Sequence, residues 1–190
     1  MEGDNWNYLG VATNPNPKVQ EARALCERGQ WPEVLAFARR WQTESPGEAK
    51  AFFYEGVAQA SLGEFGAAEA AYHQALALDD RDFKIWNNLA GLLFDSLNRP
   101  AEGAKCLAQA MRLDPGNKLG WANLASMHGQ LGRHAKALEF AERALALDPE
   151  MVEAQLHRGR AGQALNQPEL VRAACEALAK VPAEKFHRSR

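Results

Sequence analysis

The sequence predicts an all-α chain built from repeated helix pairs, and three observations carry that expectation. The phrase Leu-Ala-Leu-Asp occurs at 76–79 and again at 145–148, with a relative, Met-Arg-Leu-Asp-Pro, at 111–115 about one period from each. Aligned on these phrases, the chain divides into blocks of 34 residues, with one of 35, and self-similarity at that period marks stacked repeats. Within the blocks apolar residues recur three, four and seven apart, which is helix spacing and not strand alternation.

The blocks are 15–48, 49–82, 83–117, 118–151 and 152–185. In the first, Pro32 stands just inside a second helix, where its missing N–H costs nothing, and Pro46 stops that helix. The second block has Phe52 and the small Gly56 on its first helix, a turn at Leu62-Gly63, and Ala68 and Ala75 on its second. The third repeats this pattern with Trp86, Ala90, Pro100, Gly103, Ala110 and Pro115. Its extra residue falls between Trp86 and Pro100 and requires either a longer turn around Leu97-Asn98-Arg99 or a widened turn inside the helix. The fourth is the most regular: a helix over 121–130, a break at Gly132, a helix over 135–147, then Pro149. The fifth has Gly159, Pro168 and Pro182 at the matching places.

Trp121, Leu124-Ala125, Leu131-Gly132, Ala137, Ala144 and Asp148-Pro149 form a pattern that resembles the tetratricopeptide repeat, and the likeness extends over about nine tenths of the chain. The resemblance implies a right-handed α-solenoid. A short helix pair cannot bury its own apolar stripe and borrows a wall from its neighbours. Small residues then mark close helix crossings: Ala22, Gly56, Ala90, Ala125 and Gly159 on first helices, and Ala68, Gly103 and Ala137 on second helices. Phe52, Trp86 and Trp121 are expected to be core wedges. The outer blocks depart from the pattern, with Val34 and Val171 at one crossing and Trp41 and Leu178 at the next, as terminal units do. Residues 1–14 form a separate extension whose Trp6, Tyr8 and Leu9 are expected to dock in cis or in a second copy. Residues 186–190 form a short basic tail.

The resemblance also implies a concave groove lined by first helices and filled by a peptide of a partner protein. The residues two beyond the wedge face it: Gln20, Tyr54, Asn88, Asn123 and His157. One turn further lie Arg23, Val57, Ser126 and Arg160, with Phe53 and Asn87 beside them. Asn offers both a donor and an acceptor to a peptide backbone, and the two Arg can each hold a carboxylate. On this reading, replacing Asn88 and Asn123 weakens partner capture and leaves melting unchanged. The family's chaperone-tail clamp needs a Lys and Asn, an Asn, and a Lys and Arg in successive repeats. Phe53, Val57, Gly91, Glu153 and His157 stand in those places, so that ligand is disfavoured.

Other functional classes lack their residues. There is no phosphate-binding glycine loop, serine elbow or dinucleotide fingerprint, so no catalytic residue and no cofactor is expected. Three cysteines in separate blocks and five histidines without paired spacing argue against a disulfide framework and a metal site. A formal charge of −2 does not favour nucleic acid. It is unevenly spread, −4 over 49–82 and +3 over 152–190. The paired acids Asp79-Asp80 are expected to cap the next helix. No apolar run is long enough to span a membrane, and the N-terminus lacks a signal pattern. A cytoplasmic, bacterial interaction adaptor is therefore expected, in the role of an assembly factor for a larger complex, or a periplasmic one if a leader has been removed. The alternative is a structural or regulatory subunit that self-associates, as a homodimer, through its terminal repeats.

Overall fold

The structure is a computed structural model and describes residues 16–182. It consists of two compact units that meet in sequence at Arg99 and Pro100. The first contains α1 (Pro17–Glu27), α2 (Trp31–Glu44), α3 (Ala49–Ser61), α4 (Phe65–Leu78) and α5 (Phe83–Gly91), the last running into a π-helical turn, Leu92–Ser96. The second contains α6 (Pro100–Leu113), α7 (Lys118–Gln130), α8 (His134–Leu147), α9 (Val152–Ala164) and α10 (Pro168–Ala179). Among the described residues there is no strand. Within each unit every helix packs on its chain neighbours, and first helices also meet one another, as α1 meets α3 and α7 meets α9. The fold is thus the all-α solenoid class that the period predicts.

One turn design recurs along the whole chain. Gly29, Gly63, Asn98, Gly132 and Asn166 have φ of 67°, 82°, 52°, 67° and 56°, and no other described residue has positive φ. Glycine enters this left-handed region freely, and Asn is the side chain that tolerates it best. In four of the turns the next N–H reaches back five residues: Gln30 to Leu25, Glu64 to Gln59, Arg133 to His128, and Gln167 to Gly162, at 2.8–3.1 Å. These bonds satisfy carbonyls that the helix end leaves open. In the third turn Arg99 reaches back six, to Leu93 at 2.7 Å, while Leu97 bonds Leu92 at 3.0 Å. The extra residue of the third block is therefore absorbed by a widened helical turn, and the turn after it keeps its shape.

The small residues sit where backbones approach. A Cβ on Gly56 would lie 2.7 Å from the Tyr72 ring, and one on Gly159 would lie 3.3 Å from the Ala174 methyl. Around Gly56 the first unit assembles an aromatic core. Trp41, Phe53, Tyr54 and Tyr72 are each at most 2% exposed, with Tyr54 stacked on Trp41 at 6.4 Å and edge-on to Phe53 at 5.2 Å. Val34 and Trp41, the departures of the first block, are fully buried, whereas Val171 and Leu178 of the last block are only half-buried.

Two expectations are corrected here. The aromatic wedges are not uniformly core: Phe52 and Trp86 are half-buried, and only Trp121 is buried. The Trp86 indole donates to the Asp80 carbonyl and the Trp121 indole to the Pro115 carbonyl, both at 2.8 Å. Gln155 makes the same bond to Pro149 at 2.8 Å. Each such side chain ties a first helix to the carbonyl six residues upstream, in the turn that precedes it. The helix caps also fall elsewhere. Asp82, not Asp79 or Asp80, caps α5 by accepting from the Lys84 N–H, and Asn16 and Asn117 cap α1 and α7 in the same way. The Asn117 cap starts α7 three residues before the sequence-predicted 121.

Candidate peptide-binding surface

The eleven residues expected to line a groove do not share one environment. In the first unit Gln20 is exposed on α1, and Arg23 is half-buried and paired with Glu27 at 3.0 Å, one helical turn away. Phe53, Tyr54 and Val57 on α3 are at most 2% exposed. The Tyr54 hydroxyl donates to the Val19 carbonyl at 3.5 Å, and the Phe53 ring lies 6.2 Å from that of Tyr72. Tyr54 and Phe53 thus tie α3 to α1, α2 and α4, and the expectation that Phe53, Tyr54 and Val57 line an open groove is corrected: all three are core. Asn87 and Asn88 on α5 are 3% and 4% exposed. The Asn88 amide donates to the Lys84 carbonyl at 2.9 Å, so it serves its own helix rather than a free peptide.

In the second unit the picture reverses. Asn123 and Ser126 are half-buried on α7, three residues apart and therefore on one face. His157 and Arg160, also three apart, stand on α9. Ser126, His157 and Arg160 meet around a recess of about 300 Å³ floored by Ala125, Gly129, Ala137 and Ala161. Gln130 and His134 complete its rim. The recess exists because helix-crossing positions on three helices are occupied by alanine and glycine.

The electrostatics of the recess are asymmetric. Arg160 is exposed and, among the described residues, makes no ion pair or hydrogen bond. Burial pushes the His157 imidazole down to about 4, the Arg160 charge adds to that, and Glu153 opposes it. At neutral pH His157 is therefore uncharged, with one donor and one acceptor nitrogen. A guanidinium fork, a neutral imidazole and a hydroxyl around an apolar floor suit a carboxylate flanked by peptide groups. Among the described residues no group of His, Cys, Asp or Glu is arranged to hold a metal ion. No helix among them is long and apolar enough to cross a membrane.

Sequence reasoning missed Gln130 and His134. Gln130 lies four residues after Ser126 on the same helical face, so the period that selected Ser126 also selects it. His134 opens α8 and reaches the recess only through the packing of α8 between α7 and α9, which no local pattern encodes.

Stacked helix hairpins with an open recess between first helices define a protein-interaction scaffold. The tetratricopeptide repeat family model matches residues 55–117 and, in a second overlapping register, 88–152, together just over half of the chain. The chain belongs to the tetratricopeptide repeat family. Solved structures share the fold at low identity. MamA from Desulfovibrio magneticus RS-1 is 19% identical, with 91% of this chain and 94% of that one covered and a TM-score of 0.74. Pseudomonas aeruginosa PilF is 23% identical over 86% of this chain and 74% of its own, with a TM-score of 0.75. YrrB, a tetratricopeptide protein with an unusual peptide-binding site, is 16% identical over 88% of both chains, with a TM-score of 0.73. No curated protein sequence matches the chain.

Proposed function

We propose that this chain is a non-catalytic adaptor that holds an extended segment of a partner protein across α7 and α9. Arg160 receives an acidic group, and Asn123, Ser126 and neutral His157 pair with the peptide backbone. The observation that carries this reading is Arg160, an exposed cation with no ion pair or hydrogen bond among the described residues, at the rim of a recess whose floor is alanine and glycine. The family's mode of action through protein contacts supports it, as does the presence of a peptide-binding site on the same fold in YrrB. PilW, a widely conserved type IV pilus biogenesis factor, has this fold too, in keeping with a role in assembling a larger complex. Arg160→Ala combined with Asn123→Ala is expected to reduce partner capture from an extract of the source cells by about tenfold, with an unchanged melting temperature. Capture equal to that of the unaltered protein overturns the assignment.

A second reading, self-association through the last helix pair, is supported by α10. Of its twelve residues only Ala174 is buried, while Leu170, Val171 and Leu178 are half-exposed. Sedimentation velocity over a hundredfold concentration range separates the two: a monomer throughout removes this reading, and a dimer dissolved by Leu178→Glu supports it.

A further inference from the structure

A second recess, sharing no residue with the first, opens between α6, α7 and α8 and measures about 370 Å³. Its wall is a pair of stacked rings, Trp121 and Phe140, with centroids 5.9 Å apart and planes inclined by 18°. The Arg143 guanidinium lies over both, 4.8 Å from the Trp121 ring and 5.7 Å from the Phe140 ring. Ala108 and the fully buried Leu124 complete the apolar lining. On the opposite side α6 contributes Lys105 and Arg112, seven residues apart and hence on one face two turns along. Among the described residues no carboxylate lines the recess.

The cations around it are largely unsatisfied. Lys105 is exposed and makes no hydrogen bond or ion pair among the described residues. Among the described residues Arg112 bonds only the neutral Gln109 side chain. Arg143 pairs with Glu139 at 2.8 Å, an exposed contact within one helix that contributes little. Three positive groups thus ring an apolar wall on a chain whose formal charge is −2. That local sign is complementary to carboxylates, and the wall is complementary to a branched aliphatic side chain.

We propose that this recess is a second docking site, which takes an acidic peptide segment carrying one aliphatic anchor. Nucleic acid fits the arrangement less well. The Trp121 and Phe140 faces already cover one another and carry Arg143, which leaves no open ring for a base to stack on. The Trp121 N–H is also spent on the Pro115 carbonyl. The anchor enters against the half-buried Ala108 and Phe140, and flanking carboxylates reach Lys105, Arg112 and Arg143. This site stands independently of the α7 and α9 surface.

The test is fluorescence anisotropy with a labelled, amidated pentapeptide in which Leu is flanked by two Asp on each side. Its binding is expected to weaken about tenfold when Asp is replaced by Asn, and by a similar factor when Leu is replaced by Ser. In the protein, Lys105→Gln with Arg112→Gln is expected to give the same loss. Both side chains are exposed and outside any ion pair, so circular dichroism is expected to show unchanged helix content. Arg160→Ala is expected to leave this affinity untouched. No measurable binding, equal binding of the Asn peptide, indifference to the double Gln variant, or equally tight binding of an oligothymidylate of the same charge would each overturn the proposal.

Discussion

Tyr54 and His157 occupy the same place in the repeat, three blocks apart, and the structure treats them oppositely. Tyr54 is 2% exposed, wedged between Trp41 and Phe53 and bonded to the α1 backbone. His157 is half-buried beside an open recess of about 300 Å³. The helical register is shared, and what differs is the size of the side chains opposite. At the places that Trp41 and Tyr72 fill in the first unit the second has the smaller Ala144 and Cys175, and its recess is floored by Ala137 and Ala161. Whether a position in a repeat is core or binding surface is therefore decided by its neighbours' volume and not by its own polarity.

The largest effect that bears on this contrast is on stability. Tyr54→Ala removes a buried ring from a packed aromatic cluster and is expected to cost about 3 to 5 kcal/mol, read as a lower melting temperature. A normal melt would show that the position is open, as it is at His157. Asn88→Ala is expected to cost about 0.5 to 1.5 kcal/mol, because it deletes a buried amide that satisfies the Lys84 carbonyl. Asn123→Ala, on the half-buried face of α7, is expected to leave the melt unaltered. This separates two amides that the sequence treats as equivalent.

A further effect lies in the pH dependence. The unfolded imidazole of His157 titrates near 6.5, and in the folded state near 4. As pH falls from 6.5 to about 4 the unfolded chain binds a proton that the folded chain refuses, so stability is lost across that window. Outside it this group contributes no slope. His157→Gln is expected to flatten the change in denaturation midpoint between pH 6.5 and 4 relative to the parent. An identical profile would mean that the imidazole is solvated.

Much of the fold was legible because the period and the punctuation are local. Pro32, Pro100 and Pro168 stand within the first two positions of α2, α6 and α10, as the missing N–H dictates. Gly56 marks a crossing because the Tyr72 ring occupies the space its Cβ would need. The site was legible only in part. Ser126, His157 and Arg160 come together as the register implies, but the same register also selects Phe53, Tyr54, Val57, Asn87 and Asn88, which are buried. Register fixes the direction of a side chain on its own helix. The bulk that meets it comes from residues on other helices, which no periodicity carries. The cysteines, alike in lying on helices, also differ in burial: Cys26 is buried, Cys106 is half-buried and Cys175 is exposed. The expected docking of Trp6, Tyr8 and Leu9 and the basic tail lie outside the described residues.

The widened turn at Leu92–Ser96 has a consequence for how this chain tolerates change in length. Elsewhere an added residue would rotate every later side chain on its helix by about 100° and carry alanines out of their crossings. Here the surplus is taken up within a single loop of backbone, and Pro100 begins its helix in phase. The segment behaves as a splice point. A one-residue deletion within it would convert the third block to the length of its siblings, whereas the same deletion in α3 or α7 would scramble the lattice of contacts downstream.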